Sequence, residues 1–219
     1  IPRGARMAEA AARLSGAGAL AERAVFGLIE GETLFRIGAR YAGAGDDLKA
    51  GEYRVPAGVS MSEALALITS GRSIQYPITV PEGLTSWEVV ELLRAEQVLS
   101  GEIAEVPPEG SLAPDTYFVD RGADRAALVA RMQAAQERIL AEAWQARAED
   151  LPIETPEEAL ILASIVEKEA AIAEERAVVA SVFVNRLRRG MRLETDPTVV
   201  YGAIEGRGAL DRPPTAPEL

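Results

Sequence analysis

Three short segments of this chain share one design, and their repetition constrains the fold more than any other feature. Ile1-Pro2-Arg3-Gly4, Val55-Pro56-Ala57-Gly58 and Val80-Pro81-Glu82-Gly83 each set an apolar residue, a proline and a glycine in the same order, and each has a glutamate at the same offset behind it, Glu9, Glu63 and Glu88. Proline stops a strand ladder because it lacks an N–H, and glycine admits the turn that follows. Ser60, Ser62, Thr85 and Ser86 stand where a hydroxyl can cap a helix start. Behind the turns, apolar residues recur at helical spacing: Ala10, Leu14 and Leu20, then Ala64, Leu65, Leu67 and Ile68, then Val89, Leu92 and Leu93. Each segment therefore reads as a small βα unit, a strand ending in a Pro-Gly turn and then a helix. Residues 21–41 read as a further helix, Leu48 to Val55 as a turn entering a strand, and Gln75 to Val80 as the strand that links the second and third units.

Beyond this α+β region, Val106-Pro107-Pro108-Glu109-Gly110 reads as a boundary. A long helix is expected from about Asp124 to Ala148, with Leu128, Met132, Ile139 and Leu140 placed periodically. Thr155-Pro156-Glu157-Glu158 is a strong helix start: a hydroxyl at the N-cap, proline at the first helical position and acids in the first turn. A second helix ends at Gly190, and Met191 to Tyr201 reads as an extended or turning segment around Asp196-Pro197.

Composition limits the chemistry. The 219 residues include no histidine and no cysteine, so a thiolate nucleophile, a Ser-His-Asp relay and a Cys/His zinc site are all excluded, and acid–base work falls to carboxylates, lysine or tyrosine. No acidic loop of the EF-hand type occurs, so neither a metal nor another cofactor is expected. The net charge of −11 is spread evenly, 10 basic against 15 acidic residues in the first 110 positions and 13 against 19 in the rest, which leaves no basic face for nucleic acid. No stretch of about 18 apolar residues occurs. The chain opens at Ile1 inside a patterned segment, with its first Met at position 7, which points to an upstream part, an anchor or a signal, not included here.

On a helical wheel for residues 160–173, Ile161, Leu162, Ile165, Val166, Ile172 and Ala173 gather in one arc, and Glu169 lies inside it. Glu167 and Glu174 point away toward solvent. A carboxyl among such neighbours is desolvated, its ionised form is disfavoured, and its pKa rises toward the range a general acid needs. Two arrangements would undo this: a helix ending near Ala170, which frees the side chain, or an ion pair to Arg176 or Arg186.

The run Leu162-Ala163-Ser164-Ile165-Val166-Glu167-Lys168-Glu169, then Glu175-Arg176, Val179 to Leu187, and Met191 to Gly202 closely resembles the bacterial endolytic murein transglycosylase family known as MltG or YceG. Leu48 to Tyr53, Val80 to Gly83 and Pro114-Asp115-Thr116-Tyr117 extend the resemblance over nearly the whole chain. It implies a small LysM-like βα region over residues 1–75 and a predominantly helical catalytic domain over 76–219, the latter made of a third βα unit (76–105), a linker (106–111), a helical part (112–190) and an Asp-Pro segment (191–219). It further implies an N-terminal membrane anchor outside this sequence, action on the periplasmic or outer side of the inner membrane, and cleavage of glycan strands in nascent peptidoglycan, with peptidoglycan synthases as candidate partners. The family's catalytic acid is the second glutamate of Glu-Lys-Glu, here Glu169, the residue the wheel also selects. Asn185, Asp196, Thr198 and Tyr201 are the candidate substrate contacts, Tyr201 by stacking on a sugar ring. The chain departs from the family pattern at Glu194, at Ala170, and at Pro213-Pro214, which resembles a remnant of a longer closing motif and implies an incomplete C-terminal end. A non-catalytic peptidoglycan-binding scaffold and an inverting hydrolase using Glu169 with Asp196 are the competing readings.

Overall fold

The computed structural model describes residues 1–208 except 3, 22, 25, 26, 46 and 205. Arg3 of the first turn and the Pro213-Pro214 pair lie outside the described residues. The architecture is α+β, and the chain divides into two compact units: Ile1–Pro77 with Phe118–Arg121, and Ile78–Tyr117 with the chain from Gly122 onward.

The first unit holds α1 (Met7–Gly16), β1 (Arg23–Ala24), β2 (Ile29–Glu30), α2 (Gly31–Tyr41) and α3 (Met61–Ser70). Ala10, Ala11 and Leu14 of α1, Phe35 and Ala39 of α2, and Ala64, Leu65 and Ile68 of α3 form its core with Leu20. The alanines are completely buried, so the small side chains let helix backbones approach closely. Residues 21–41 are not one helix. The antiparallel pair of β1 and β2 comes first, with Arg23 opposite Glu30, and α2 starts at Gly31, where an added Cβ would sit 1.9 Å from the Ala21 carbonyl oxygen. Leu48 to Val55 forms no strand either; its backbone bonds to separate partners, Lys49 N–H to Ile68, Gly51 N–H to Ile1 and the Glu52 carbonyl to Ile74 N–H, rather than to one ladder.

The three Pro-Gly turns are nevertheless alike. Gly4, Gly58 and Gly83 all adopt positive φ, 75°, 77° and 78°, and a helix begins three residues later each time. Of the strands expected before the turns, β3 (Tyr76–Val80) forms and the one at 48–55 does not, while only Ile1 stands before the first proline. The constant glutamate offset has a physical cause: it is the third helical position. Ser60 with Glu63 and Thr85 with Glu88 build reciprocal capping boxes, each side chain bonded to the other residue's backbone N–H. At the first turn Arg6 offers no such cap, and Glu9 instead pairs with Arg13 one turn along.

β3 pairs with β5 (Asp115–Val119), and the division between the units falls inside both strands. In the second unit, α4 (Ser86–Ala95) buries Val89, Val90 and Leu93; β4 (Leu99–Ser100) runs parallel to β6 (Ala123–Asp124); and α5 (Arg125–Gln145) buries Leu128, Val129 and Met132. Ile139, expected on the buried face, is exposed. Arg125, the first residue of α5, donates to the carbonyls of Leu93, Arg94, Glu96 and Gly101 at 2.7–3.3 Å, so its guanidinium closes the C-terminal end of α4. The proline-rich 106–111 stretch lies within this unit, and the Pro108 carbonyl accepts from the hydroxyls of Ser86 and Ser111. Then come α6 (Pro156–Glu169), a 3-10 turn (Ala173–Glu175), α7 (Arg176–Arg188) and α8 (Asp196–Ile204). The last replaces the extended segment expected there. Proline in a first helical turn removes an N–H that would have no intrahelical partner anyway, so Asp196-Pro197 starts a helix. No described helix is long and apolar enough to cross a membrane.

Candidate active site

All five candidate residues lie on three helices of the second unit, and α6 packs against both α7 and α8. The Thr155 hydroxyl accepts the Glu158 N–H at 3.2 Å and starts α6 as the sequence indicates. Ile165 and Val166 then bury against Phe183 of α7, with Leu162, Val179, Ala180 and Leu193 around them.

The end of α6 differs from the wheel. Ala170 is extended (φ −84°, ψ 111°), so the helix stops at Glu169, and Ile172 and Ala173 never join the apolar arc; Ile172 is 54% exposed. Glu169 is exposed at the helix end, and the desolvation expected of it is absent. Neither arginine pairs with it. Arg176 Nη2 contacts the Glu167 carboxylate at 2.9 Å, which makes Glu167 a half-buried ion-pair partner rather than a solvated residue. Arg186 donates to the carbonyls of Arg192 and Leu193. On the other side, the Gly83 turn backs the same end of α6: a Cβ on Gly83 would lie 3.7 Å from Lys168 Nζ and 3.8 Å from Glu167 Cγ.

Asn185 on α7 and Asp196 at the start of α8 are exposed. The Thr198 hydroxyl is turned inward along its own helix and donates to the Thr195 carbonyl at 2.7 Å. The Tyr201 ring lies over Gly206, and its hydroxyl donates to Glu109 Oε2 at 3.3 Å. Its pKa is raised, by partial burial and then by the Glu109 charge and hydrogen bond. With 42% of its surface exposed, Tyr201 keeps one edge open, but its polar end is engaged.

Glu109 is the residue sequence reasoning passed over as linker. Its Oε1 accepts the Ser86 N–H at 2.9 Å at the start of α4 and the Gly110 N–H at 3.2 Å, while Thr85 Oγ1 donates to the Gly206 carbonyl at 2.7 Å. Its only signal in the sequence is an acid beside Pro-Pro and Gly. Thr195 was passed over too. It is 8% exposed, its Oγ1 has no hydrogen-bond partner, and Glu194 before it holds φ +44°. A buried hydroxyl without a partner costs about 1–3 kcal/mol and a non-glycine left-handed residue about 1–2 kcal/mol.

A cavity of about 510 Å³ runs between α5, α6 and α7, lined by Leu140, Trp144, Leu162, Val166 and Ala180, with the Glu167–Arg176 pair at its border. Among the described residues no cluster of three histidine, cysteine or carboxylate ligands is placed to hold a metal ion. What the arrangement offers chemically is an accessible carboxyl at the end of a well-packed helix, with an amide and a second carboxylate on the two helices packed against it.

The model of the YceG-like family matches residues 1–216. The chain is 28% identical over 218 aligned residues to an endolytic murein transglycosylase of Streptococcus pneumoniae serotype 2 (strain D39), which covers 80% of this chain and 39% of that protein. It is 27% identical over 208 residues to an endolytic murein transglycosylase of Bacillus subtilis (strain 168), again 80% of this chain and 57% of the other. The chain thus spans between about two fifths and three fifths of the length of these relatives. The crystal structure of a yceG-like protein from Listeria monocytogenes aligns with all of this chain and 77% of its own, with a TM-score of 0.51 at 22% identity. With the family pattern running through all but its last three residues, this chain belongs to the YceG-like family.

Proposed function

We propose that this chain is the catalytic part of an endolytic peptidoglycan lytic transglycosylase that cuts the β-1,4 bond between N-acetylmuramic acid and N-acetylglucosamine. The observation that carries this reading is Glu169, an exposed carboxyl at the end of α6, in a chain related to endolytic murein transglycosylases and lacking histidine and cysteine. In the proposed reaction the Glu169 carboxyl gives its proton to the glycosidic oxygen as the bond from C1 to that oxygen breaks. The resulting carboxylate takes the proton of the muramyl C6 hydroxyl as O6 closes on C1. The products are a 1,6-anhydromuramyl end and a free C4 hydroxyl, no water is consumed, and Glu169 regains its proton. One carboxyl suffices because the nucleophile belongs to the substrate, whereas an inverting hydrolase needs a second carboxylate to activate water.

Asn185 and Asp196 are the proposed glycan contacts; Thr198 and Tyr201 contribute by shaping α8, since their hydroxyls are engaged within the protein. Residues 1–75 serve as a LysM-like glycan-holding region in this scheme, with 76–219 as the catalytic domain, on the outer face of a bacterial inner membrane and close to peptidoglycan synthases. Digestion of purified peptidoglycan tests the reading. The wild type is expected to release fragments lighter by one water than hydrolytic products, and Glu169→Gln to lose about 10²–10⁴-fold in rate, the usual contribution of a positioned acid–base group. Equal cleavage by the variant would remove Glu169 from the reaction; products of hydrolytic mass would transfer the reading to Glu169 with Asp196; and absence of cleavage by the wild type would favour a binding scaffold.

A further inference from the structure

Two local costs meet in adjacent residues beside the candidate site. Glu194 is the one described non-glycine residue with positive φ, and Thr195 carries the one described buried side-chain polar atom without a partner. The segment is anchored on its N-terminal side, where Arg186 is bonded to the carbonyls of Arg192 and Leu193 and Leu193 packs on the core between α6 and α7. On its C-terminal side the Thr195 carbonyl accepts the N–H groups of Thr198 and Val199 and the Thr198 hydroxyl, so that carbonyl is fully employed while the Thr195 hydroxyl is idle. Pro197 removes one of the two N–H groups, at the second and third helical positions, that an N-cap threonine ordinarily reaches, and the other, on Thr198, is taken by the Thr195 carbonyl. Retained strain beside an exposed carboxylate on a site helix is the pattern of a preorganised functional segment.

We propose that Glu194 and Thr195 form a strained positioning element for glycan binding: the left-handed turn at Glu194 sets the direction in which α8 starts and holds Asp196 outward, and the Thr195 hydroxyl gains its partner when bound glycan draws the 194–196 backbone toward the sugar. Thr195 is a positioning residue, not a catalytic one. The inference rests on the reading of α6 and α8 as a glycan site, and its test separates the two. In a Glu169→Gln background, binding of undecorated glycan strands is measured by calorimetry for Thr195, Thr195→Val and Thr195→Ser, alongside thermal unfolding and, with Glu169 restored, kcat and KM. Thr195→Val keeps the shape and removes the idle hydroxyl, so it is expected to raise Tm by roughly 2–4 °C while weakening glycan binding and raising KM about tenfold. Thr195→Ser is expected to bind within about twofold of the parent. Glu194→Gly, which relieves the backbone, should likewise raise Tm and KM together.

The proposal is overturned if Thr195→Val binds glycan as the parent does, or if it loses Tm, since the hydroxyl would then be a satisfied structural group. Glycan binding that depends on Thr195 without any cleavage by the wild type would leave this inference standing and remove the transglycosylase reading. No binding by the parent would remove both.

Discussion

The two capping boxes make an internally controlled experiment. Ser60 and Thr85 hold the same position in the repeated unit, and both exchange bonds with the glutamate three residues on: Ser60 N–H to Glu63 and Thr85 N–H to Glu88 at 2.8 Å, with each hydroxyl accepting the returning N–H at 3.2 Å. They differ in one respect. Thr85 also donates to the Gly206 carbonyl at 2.7 Å, whereas the Ser60 hydroxyl turns to Glu63 and Ser62, next to solvent. Replacing either residue by alanine removes an N-cap worth about 1 kcal/mol. Thr85→Ala removes in addition a half-buried neutral hydrogen bond, about 0.5–1.5 kcal/mol net. The expected costs are thus about 1 kcal/mol for Ser60→Ala and roughly 1.5–2.5 kcal/mol for Thr85→Ala, the latter about a 10- to 60-fold loss of amide protection. Hydrogen exchange resolved at the Glu63 and Glu88 amides reads both helices in one sample, and Thr85→Ser, which keeps every bond, should leave protection near that of the parent. Equal losses at the two amides in the alanine variants would refute the reasoning, because the Gly206 bond would then contribute nothing.

Two further outcomes follow from local geometry. In the first unit Arg121 Nε bonds to Glu52 at 2.7 Å and Tyr76 donates to the same oxygen at 2.8 Å, and these two bonds, in that order, hold the Glu52 carboxyl below its ordinary value of 4.5. A lowered folded pKa means the contribution is complete above the ordinary value and disappears as pH falls below 4.5 through the folded one. Acid titration of Glu52→Gln should therefore show a flatter loss of first-unit stability below pH 4.5 than the parent, with the two curves converging in acid; parallel curves would sink the assignment. Gly101→Ala and Gly122→Ala both force alanine into positive φ, 71° and 78°, at a cost of about 1–2 kcal/mol. Only at Gly101 would the new Cβ also meet Asp124 Oδ1, at 2.1 Å, and dislodge the carboxylate that caps α5, adding about 1 kcal/mol in urea unfolding.

What the sequence made legible was whatever a few neighbouring residues decide. Thr155-Pro156 and Asp124 start helices by local capping, and the glutamates behind the second and third Pro-Gly turns stand where a capping box needs them. The absence of a strand at 48–55 was not legible, because a strand exists only where a partner runs beside it: β3 finds one in β5, whereas 48–55 bonds to scattered partners. The stop at Glu169 was visible only as an alternative, a helix ending near Ala170, because no glycine or proline marks it and the wheel drew Ile172 and Ala173 onto a helix that had already ended. Asp196-Pro197 misled in the opposite direction, since proline both breaks helices and begins them. Sequence alone could set Glu169, Asp196 and Tyr201 on one list; that Tyr201 answers to Glu109, 92 positions away, is a fact of tertiary structure.

Arg125 gives the intervening loop a purpose of its own. The end of α4 has no glycine cap, since Glu96 is extended, and its carbonyls are served by a guanidinium about 30 residues downstream. The chain from 97 to 124 thus acts as a tether that keeps a donor at high effective concentration over the acceptors it must satisfy. A single cut at the exposed Val106, outside every helix, would end the covalent tether and leave that donor held over α4 only by non-covalent contacts such as the β3–β5 and β4–β6 pairs. Proteolytic nicking there would accordingly loosen α4 without touching it.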